Sequence, residues 1–256
     1  MIIKRFAGAA TALIVPKCKF DRAIFILGHM RCGSTALSHI LCSHPEISGY
    51  GEAHIRYDGN AALGQLLINQ FRRGAYRIEA QHLFDKILHS RYDAAAGPGF
   101  FNARAIFMVR EPVDTIYSIR RLFSTLGSSE YSTDAVAADY YVERVNSLLA
   151  IWEQFPSKRR IGLSYAQLTT EPEIKISSVS LMLDLIPPLT NHYTPPRNKL
   201  GHGAGDPLAS HKYDKIVPAT QPTASRKDCT PLELPERQLA ILADLYARAL
   251  QTVTRV

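Results

Sequence analysis

A glycine, four residues, a second glycine and two hydroxyls follow one another in Gly28-His29-Met30-Arg31-Cys32-Gly33-Ser34-Thr35. This is the G-x-x-x-x-G spacing of a phosphate-binding loop, with Ser34 where the lysine of nucleoside triphosphatases stands. Glycines let the backbone turn tightly, so that successive N–H groups and the positive end of a following helix converge on an anion. The hydroxyls of Ser34 and Thr35 add donors, and Arg31 places a permanent positive charge inside the loop. The absent lysine would have reached the terminal phosphates of a triphosphate, and no clear acidic residue follows to hold Mg²⁺, so triphosphate hydrolysis lacks its two main electrostatic clamps. The loop therefore predicts anion binding, with a phosphate-loop kinase or triphosphatase-like nucleotide binder as the second reading.

Such a loop must hang between a strand and a helix. Ala23 to Gly28 is an apolar run suited to a strand buried on both faces, and Ser34 to Cys42 carries Leu37, Ile40 and Leu41 at helical spacing. Ala105 to Val109 repeats the strand signal, and Pro112 then opens a helix with Ile116, Ile119 and Phe123 on one face. Ser132 to Phe155 predicts a longer amphipathic helix, Ile161 to Tyr165 a short strand, and Glu173 to Leu185 and Glu236 to Val253 two more helices. Strands alternating with helices imply a single α/β domain with a central parallel sheet flanked by helices, whose ligands bind beyond the carboxyl ends of the strands. Residues 20–185 form its expected core and residues 231–256 a C-terminal helix. Between them, Ile186 to Thr230 carries seven prolines and little periodicity. Structureless loops beyond ~12–15 residues are uncommon and usually functional or disordered, so this one is expected to serve as a lid or substrate loop.

Composition narrows the partners. The chain has 256 residues, 46% hydrophobic and 21% charged, which excludes disordered and fibrous classes. Its formal charge of +7 favours polyanions or phosphorylated small molecules. No Lys/Arg stripe with interleaved aromatics marks a nucleic-acid surface, so no nucleic-acid partner is expected. Cys18, Cys32, Cys42 and Cys229 form no C-x-x-C pair, and a reducing, cytoplasmic compartment is expected. Met1 to Val15 resembles a short signal core, but its apolar run is too short for the ~20 residues that span a bilayer and lacks a clean cleavage site. It is read as a short packing helix or tail, without stable membrane insertion. The nine histidines show no zinc spacing, and no metal is expected. Nothing in the residues specifies an oligomeric state.

Phe25 to His54 resembles the 5′-phosphosulfate loop, and the segment after it, of sulfotransferases that use 3′-phosphoadenosine 5′-phosphosulfate (PAPS). It is most similar to the arginine-loop branch that includes tyrosylprotein sulfotransferases and many bacterial enzymes. That branch carries R-[SC]-G-[ST]-T, then His-Pro, then Gly-Glu; here these are Arg31 to Thr35, His44-Pro45 and Gly51-Glu52. Arg104 to Arg120 resembles the family's 3′-phosphate element, whose arginine and serine fall on Arg110 and Ser118. Forked guanidinium donors suit phosphate oxygens, and a serine two helical turns on can point back to the same strand edge. Phe84-Asp85-Lys86 with His89 is similar to a D-K segment whose lysine enters the active site. Tyr165-Ala166-Gln167-Leu168 with Pro172 is similar to a Y-E-D-L…P stretch, from which Ala166 and Gln167 depart. Lys199 to Pro207 resembles a glycine-rich loop that closes over the donor.

The resemblance implies transfer of a sulfuryl group from PAPS to a hydroxyl or amine, leaving 3′,5′-ADP (PAP). Donor contacts would come from Arg31, Cys32, Gly33, Ser34, Thr35, Arg110, Ser118, Tyr165, Lys199 and Gly203, with Lys212, Arg226 and Lys227 as further candidate anion contacts. Arg31 and Lys86 would stabilise the leaving phosphate. Glu52 would be the general base, with His54 and His89 as runners-up. The acceptor would be a small molecule, a peptide or a carbohydrate, met by segments such as Gly59 to Arg77 and Leu189 to Thr230.

Overall fold

The apolar runs form strands because side chains on both of their faces are covered. In β1 (Ala23–Gly28), Phe25 and Leu27 enter one core while Ile24 and Ile26 enter the other, and β4 (Arg104–Val109) splits Phe107 and Val109 from Ile106 and Met108 in the same way. With β2 (Ile47–Ser48), β3 (His82–Ile87) and β5 (Arg160–Ser164) they make one all-parallel sheet in the order β2-β3-β1-β4-β5. The computed structural model describes residues 2–194, 213–218 and 231–255.

Eight helices occur among the described residues: α1 (Ile2–Ile14), α2 (Ser34–Ser43), α3 (Asn60–Arg73), α4 (Pro112–Thr125), α5 (Asp134–Trp152), α6 (Tyr165–Thr170), α7 (Pro172–Leu183) and α8 (Glu236–Thr254). Residues of α3, α4, α5 and α8 fill the core on one side of the sheet, and residues of α2, α6 and α7 fill the other. The molecule is thus a single α/β domain with a parallel sheet between helical layers, as the alternation of signals predicts.

Two strands escaped that reading. β2 has only two residues, and β3 (HLFDKI) buries His82, Asp85 and Lys86 along with its apolar residues, so it shows neither alternation nor an apolar run. The third expected strand stops one residue early, at Ser164. That side chain accepts from the Gln167 N–H while Gln167 Oε1 accepts from the Ser164 N–H, a reciprocal capping box that makes Tyr165 the first residue of α6. Gln167, a departure from the family's acidic pair, is thereby used locally. The segment Gly59 to Arg77, expected at the acceptor, is instead mostly α3, which packs against α1. The N-terminal segment is the packing helix of the two forms allowed for it. Residues 195–212 and 219–230, with Lys199, Gly203, Lys212, Arg226 and Lys227, lie outside the described residues.

Candidate functional site

At the carboxyl ends of β1, β3 and β4 opens a cleft of about 720 Å³. Its floor is the loop between β1 and α2. Gly33 there has φ 88°, and a Cβ on it would lie 2.7 Å from Tyr165 Cδ2, so only glycine lets the loop and that ring approach. Arg31 also holds a left-handed backbone, φ 66°, a conformation that costs a non-glycine residue about 1–2 kcal/mol. Cys32 and Ser34 are buried, and burial pushes the Cys32 thiol up.

The two anion motifs meet directly. Arg31 Nε donates to Ser118 Oγ at 2.8 Å, and the Arg110 guanidinium donates to the Arg31 carbonyl at 3.1 Å. Arg110 also lies 4.2 Å over the Tyr165 ring and 3.6 Å from Asp114. Its buried Nε has no hydrogen-bond partner among the described residues, an unmade bond of the sort that fits a site built for an anion. His29 joins the same two elements: its Nδ1 donates to the Met30 carbonyl at 2.9 Å and its Nε2 accepts the Arg110 N–H at 3.0 Å. Burial lowers its pKa to about 4, which keeps the imidazole neutral and able to accept.

On the β3 side, Lys86 Nζ lies 3.3 Å from Thr35 Oγ1 and 3.3 Å from Glu52 Oε1, and His54 Nε2 lies 3.3 Å from Glu52 Oε2. The ammonium is thus shared between the loop and a carboxylate. Burial would raise the Glu52 pKa, but Lys86 and His54 prevail and bring it down to about 2. The hydrogen bond to Glu52 in turn raises that of His54. His89 lines the same cleft, but burial, with Arg91 beside it, lowers its pKa to about 4.

Of the residues expected from sequence, Arg31, Gly33, Ser34, Thr35, Glu52, His54, Lys86, Arg110 and Tyr165 all line the cleft, and Ser118 reaches it through Arg31. From the long loop, Tyr193, Tyr213, Lys215, Ile216 and Val217 join them, whereas no residue from 59 to 77 does. Among the described residues, no group of three or more His, Cys, Asp or Glu could hold a metal ion, and no helix is long and apolar enough to cross a membrane.

The supports of the site were not foreseen. Asp85, fully buried, accepts from the backbone N–H of Ala53 (2.8 Å) and of Lys86 (2.8 Å) and from the Tyr57 hydroxyl (2.6 Å). It therefore pins the Glu52-Ala53-His54 turn, where His54 has φ 55°, onto the strand that carries Lys86. Burial lifts its own pKa to about 7 against those three donors. Helix α5 does the same for the strand ends. Arg144, with no exposed surface, donates to the carbonyls of Gly28 and Ile87 and pairs with Asp93 at 2.8 Å. The Tyr140 hydroxyl bridges the Met30 N–H and the Leu88 carbonyl, and Tyr141 donates to the Arg110 carbonyl. The only advance signal was polar residues on the inward face of an amphipathic helix.

The comparisons with known proteins agree with this geometry. A family model described as "Sulfotransferase family" matches residues 23–99 and 99–186. No curated protein sequence matches the chain. Among solved structures, the sulfotransferase domain of the Synechococcus PCC 7002 olefin synthase is 20% identical, with a TM-score of 0.60 over 88% of this chain and 94% of that one. The sulfotransferase domain from the curacin biosynthetic pathway is 21% identical, with a TM-score of 0.57 over 87% and 96%. Mouse sulfotransferase SULT7A1, solved with PAP, is 12% identical, with a TM-score of 0.53 over 90% and 85%.

Proposed function

We propose, from the premise that the chain belongs to the sulfotransferase family, that it moves a sulfuryl group from PAPS to a hydroxyl or amine acceptor. The observation that carries the reading is the fusion of two anion elements into one site, Arg31 to Ser118 and Arg110 to the Arg31 carbonyl, with Lys86 shared between Thr35 and Glu52 at its edge. A donor with a 5′-phosphosulfate and a 3′-phosphate needs two such elements, and the PAP bound to the mouse neighbour supports that class of ligand.

When bound, the donor supplies SO₃ through cleavage of its S–O bond to the 5′-phosphate, with negative charge growing on the leaving oxygen. The loop N–H groups and Arg31 bind that phosphate, and Arg110, Ser118 and the Tyr165 ring hold the 3′-phosphate end. Lys86 and Arg31 meet the developing charge, the kind of stabilisation worth roughly 10²–10³ in rate. Glu52 takes the acceptor proton. In the structure Lys86 holds Glu52 ionised with a pKa of about 2, too weak a base for an alcohol. Once the ammonium turns to the donor's anionic groups, the carboxylate loses that stabilisation and its affinity for a proton rises. Base strength is thus coupled to donor occupancy through one side chain. Of the long segment expected to serve as a lid, the described residues Tyr193, Tyr213, Lys215, Ile216 and Val217 line the same cleft.

Calorimetry tests the donor assignment. PAP is expected to bind at least tenfold more tightly than ATP, because only PAP presents a 3′-phosphate to Arg110, and Arg110→Gln should remove that preference. Equal or tighter ATP binding would return the chain to the kinase-like reading.

A further inference from the structure

Helix α1 is packed inside out. Its small residues Gly8 and Ala12 face α3, at a crossing so close that a Cβ on Gly64 would lie 1.9 Å from the Gly8 carbonyl oxygen. Its large apolar residues face away: Phe6 is 73% exposed, Leu13 88% and Ile14 79%. Positions 6, 13 and 14 fall within about 100° on a helix of 3.6 residues per turn, so they form one stripe rather than scattered exposures. Ile78, 71% exposed, adjoins the end of this element, since its carbonyl accepts from Lys17. Contiguous exposed apolar groups of this kind mark a docking surface.

The charges say what docks. Residues 2–20 contain Lys4, Arg5, Lys17 and Lys19 and no acidic residue. Arg5 pairs with Asp58 and Lys17 with the Ile78 carbonyl, which leaves exposed Lys4 and Lys19, one before and one after the stripe in the chain, with no ion pair among the described residues. A second copy meeting this face through a two-fold axis would bring like charges together. A bilayer surface bearing anionic lipid offers instead an apolar boundary for the stripe and phosphates for the cations.

We propose that α1 docks the protein reversibly on an anionic phospholipid surface, with Phe6, Leu13 and Ile14 entering the headgroup boundary and Lys4 and Lys19 pairing with lipid phosphates. No residue of α1 or α3 lines the cleft, so docking leaves its residues unengaged. The mode is interfacial and is separate from membrane spanning.

Co-sedimentation of the full chain with phosphatidylcholine vesicles, with and without phosphatidylglycerol, reads this out. The partition coefficient should be at least tenfold higher on the phosphatidylglycerol vesicles and should fall in about 0.5 M salt, where the Debye length shrinks to a few ångströms. The triple variant Phe6→Ser, Leu13→Ser, Ile14→Ser should lose about tenfold or more, and Lys4→Glu with Lys19→Glu a comparable amount. All five residues changed in these variants are exposed, and circular dichroism should show unchanged helix content. Three results overturn the proposal: no binding or equal binding to the two vesicles, a serine variant that partitions like the parent, or light scattering that shows a dimer which the serine variant dissolves. The second would assign binding to the general basic surface, and the third would assign the face to a second copy.

Discussion

The two ends of the cleft are built differently. The end where we propose that the donor binds is held by backbone and buried side chains from many elements: His29 and Arg110 join β1's loop to β4, and Tyr140, Tyr141 and Arg144 of one helix reach the ends of β1, β3 and β4. The other side, lined by His89, Arg91, Leu122, Phe123 and Glu130, has ring contacts such as Phe123 on Tyr131 at 4.6 Å and Arg91 over Tyr92 at 4.9 Å, but among the described residues no comparable web. A rigid end suits a ligand of fixed shape and charge, since prearranged donors need no reorganisation when charge develops. An end lined by separate side chains can be changed one residue at a time, which suits a variable acceptor. Where the two meet stand Lys86 and Glu52, and the largest effect is expected there. Glu52→Gln should lower kcat by about 10²–10⁴-fold, the usual worth of a positioned base, while PAP affinity measured by calorimetry changes little. Full turnover in that variant would move the base to His54 or His89.

What the sequence disclosed follows the same division. The loop from Gly28 to Thr35 was legible because its chemistry is local: glycines, hydroxyls and a cation must be neighbours in the chain to wrap one anion. Arg110 and Ser118 were legible as a strand-end arginine and a serine two helical turns later, although their bond to Arg31 was not. The pins were hidden because they pair residues far apart in the chain. Arg144 meets Gly28, Ile87 and Asp93, and Asp85 meets Ala53 and Tyr57, separations that no periodicity records. β3 was hidden for a related reason. Its Asp85 and Lys86 are buried polar residues that make the strand look polar, and they hold the Glu52-Ala53-His54 turn beside the loop after β1. The segments expected at the acceptor carried no motif: Gly59 to Arg77 is mostly the helix that packs on α1 and does not line the cleft, whereas residues of Leu189 to Thr230 do.

The web at the donor end can be broken at one residue. Arg144→Ala would leave the Asp93 carboxylate and the carbonyls of Gly28 and Ile87 without their buried donor, and removal of one partner from a buried pair typically costs about 3–5 kcal/mol. For a domain of this size, 1 kcal/mol moves Tm by roughly 2–4 °C, so thermal unfolding should begin about 6–20 °C lower. The loss should extend to function, because the released strand ends carry the anion loop and Lys86. At a temperature where the variant remains folded, PAP affinity should fall as well. A variant with lowered Tm and unchanged PAP affinity would show that the web supports the fold without shaping the donor site.

The smallest effect is expected at Leu122, one turn of α4 beyond Ser118. Leu122→Ala removes an apolar side chain that lines the cleft but is only half-buried and makes no hydrogen bond to the loop, so little packing is lost. Its effect on PAP affinity should stay within about twofold, since sites with no shared partners act nearly additively. The same truncation widens the space offered to an acceptor, so the range of acceptors sulfated from labelled PAPS should shift toward bulkier apolar ones. A large loss of PAP affinity would mean that the two ends are mechanically one. In that case the tight web around Arg31, Arg110 and Arg144 would constrain acceptor choice too, and a change of acceptor would require changes on both sides of Lys86.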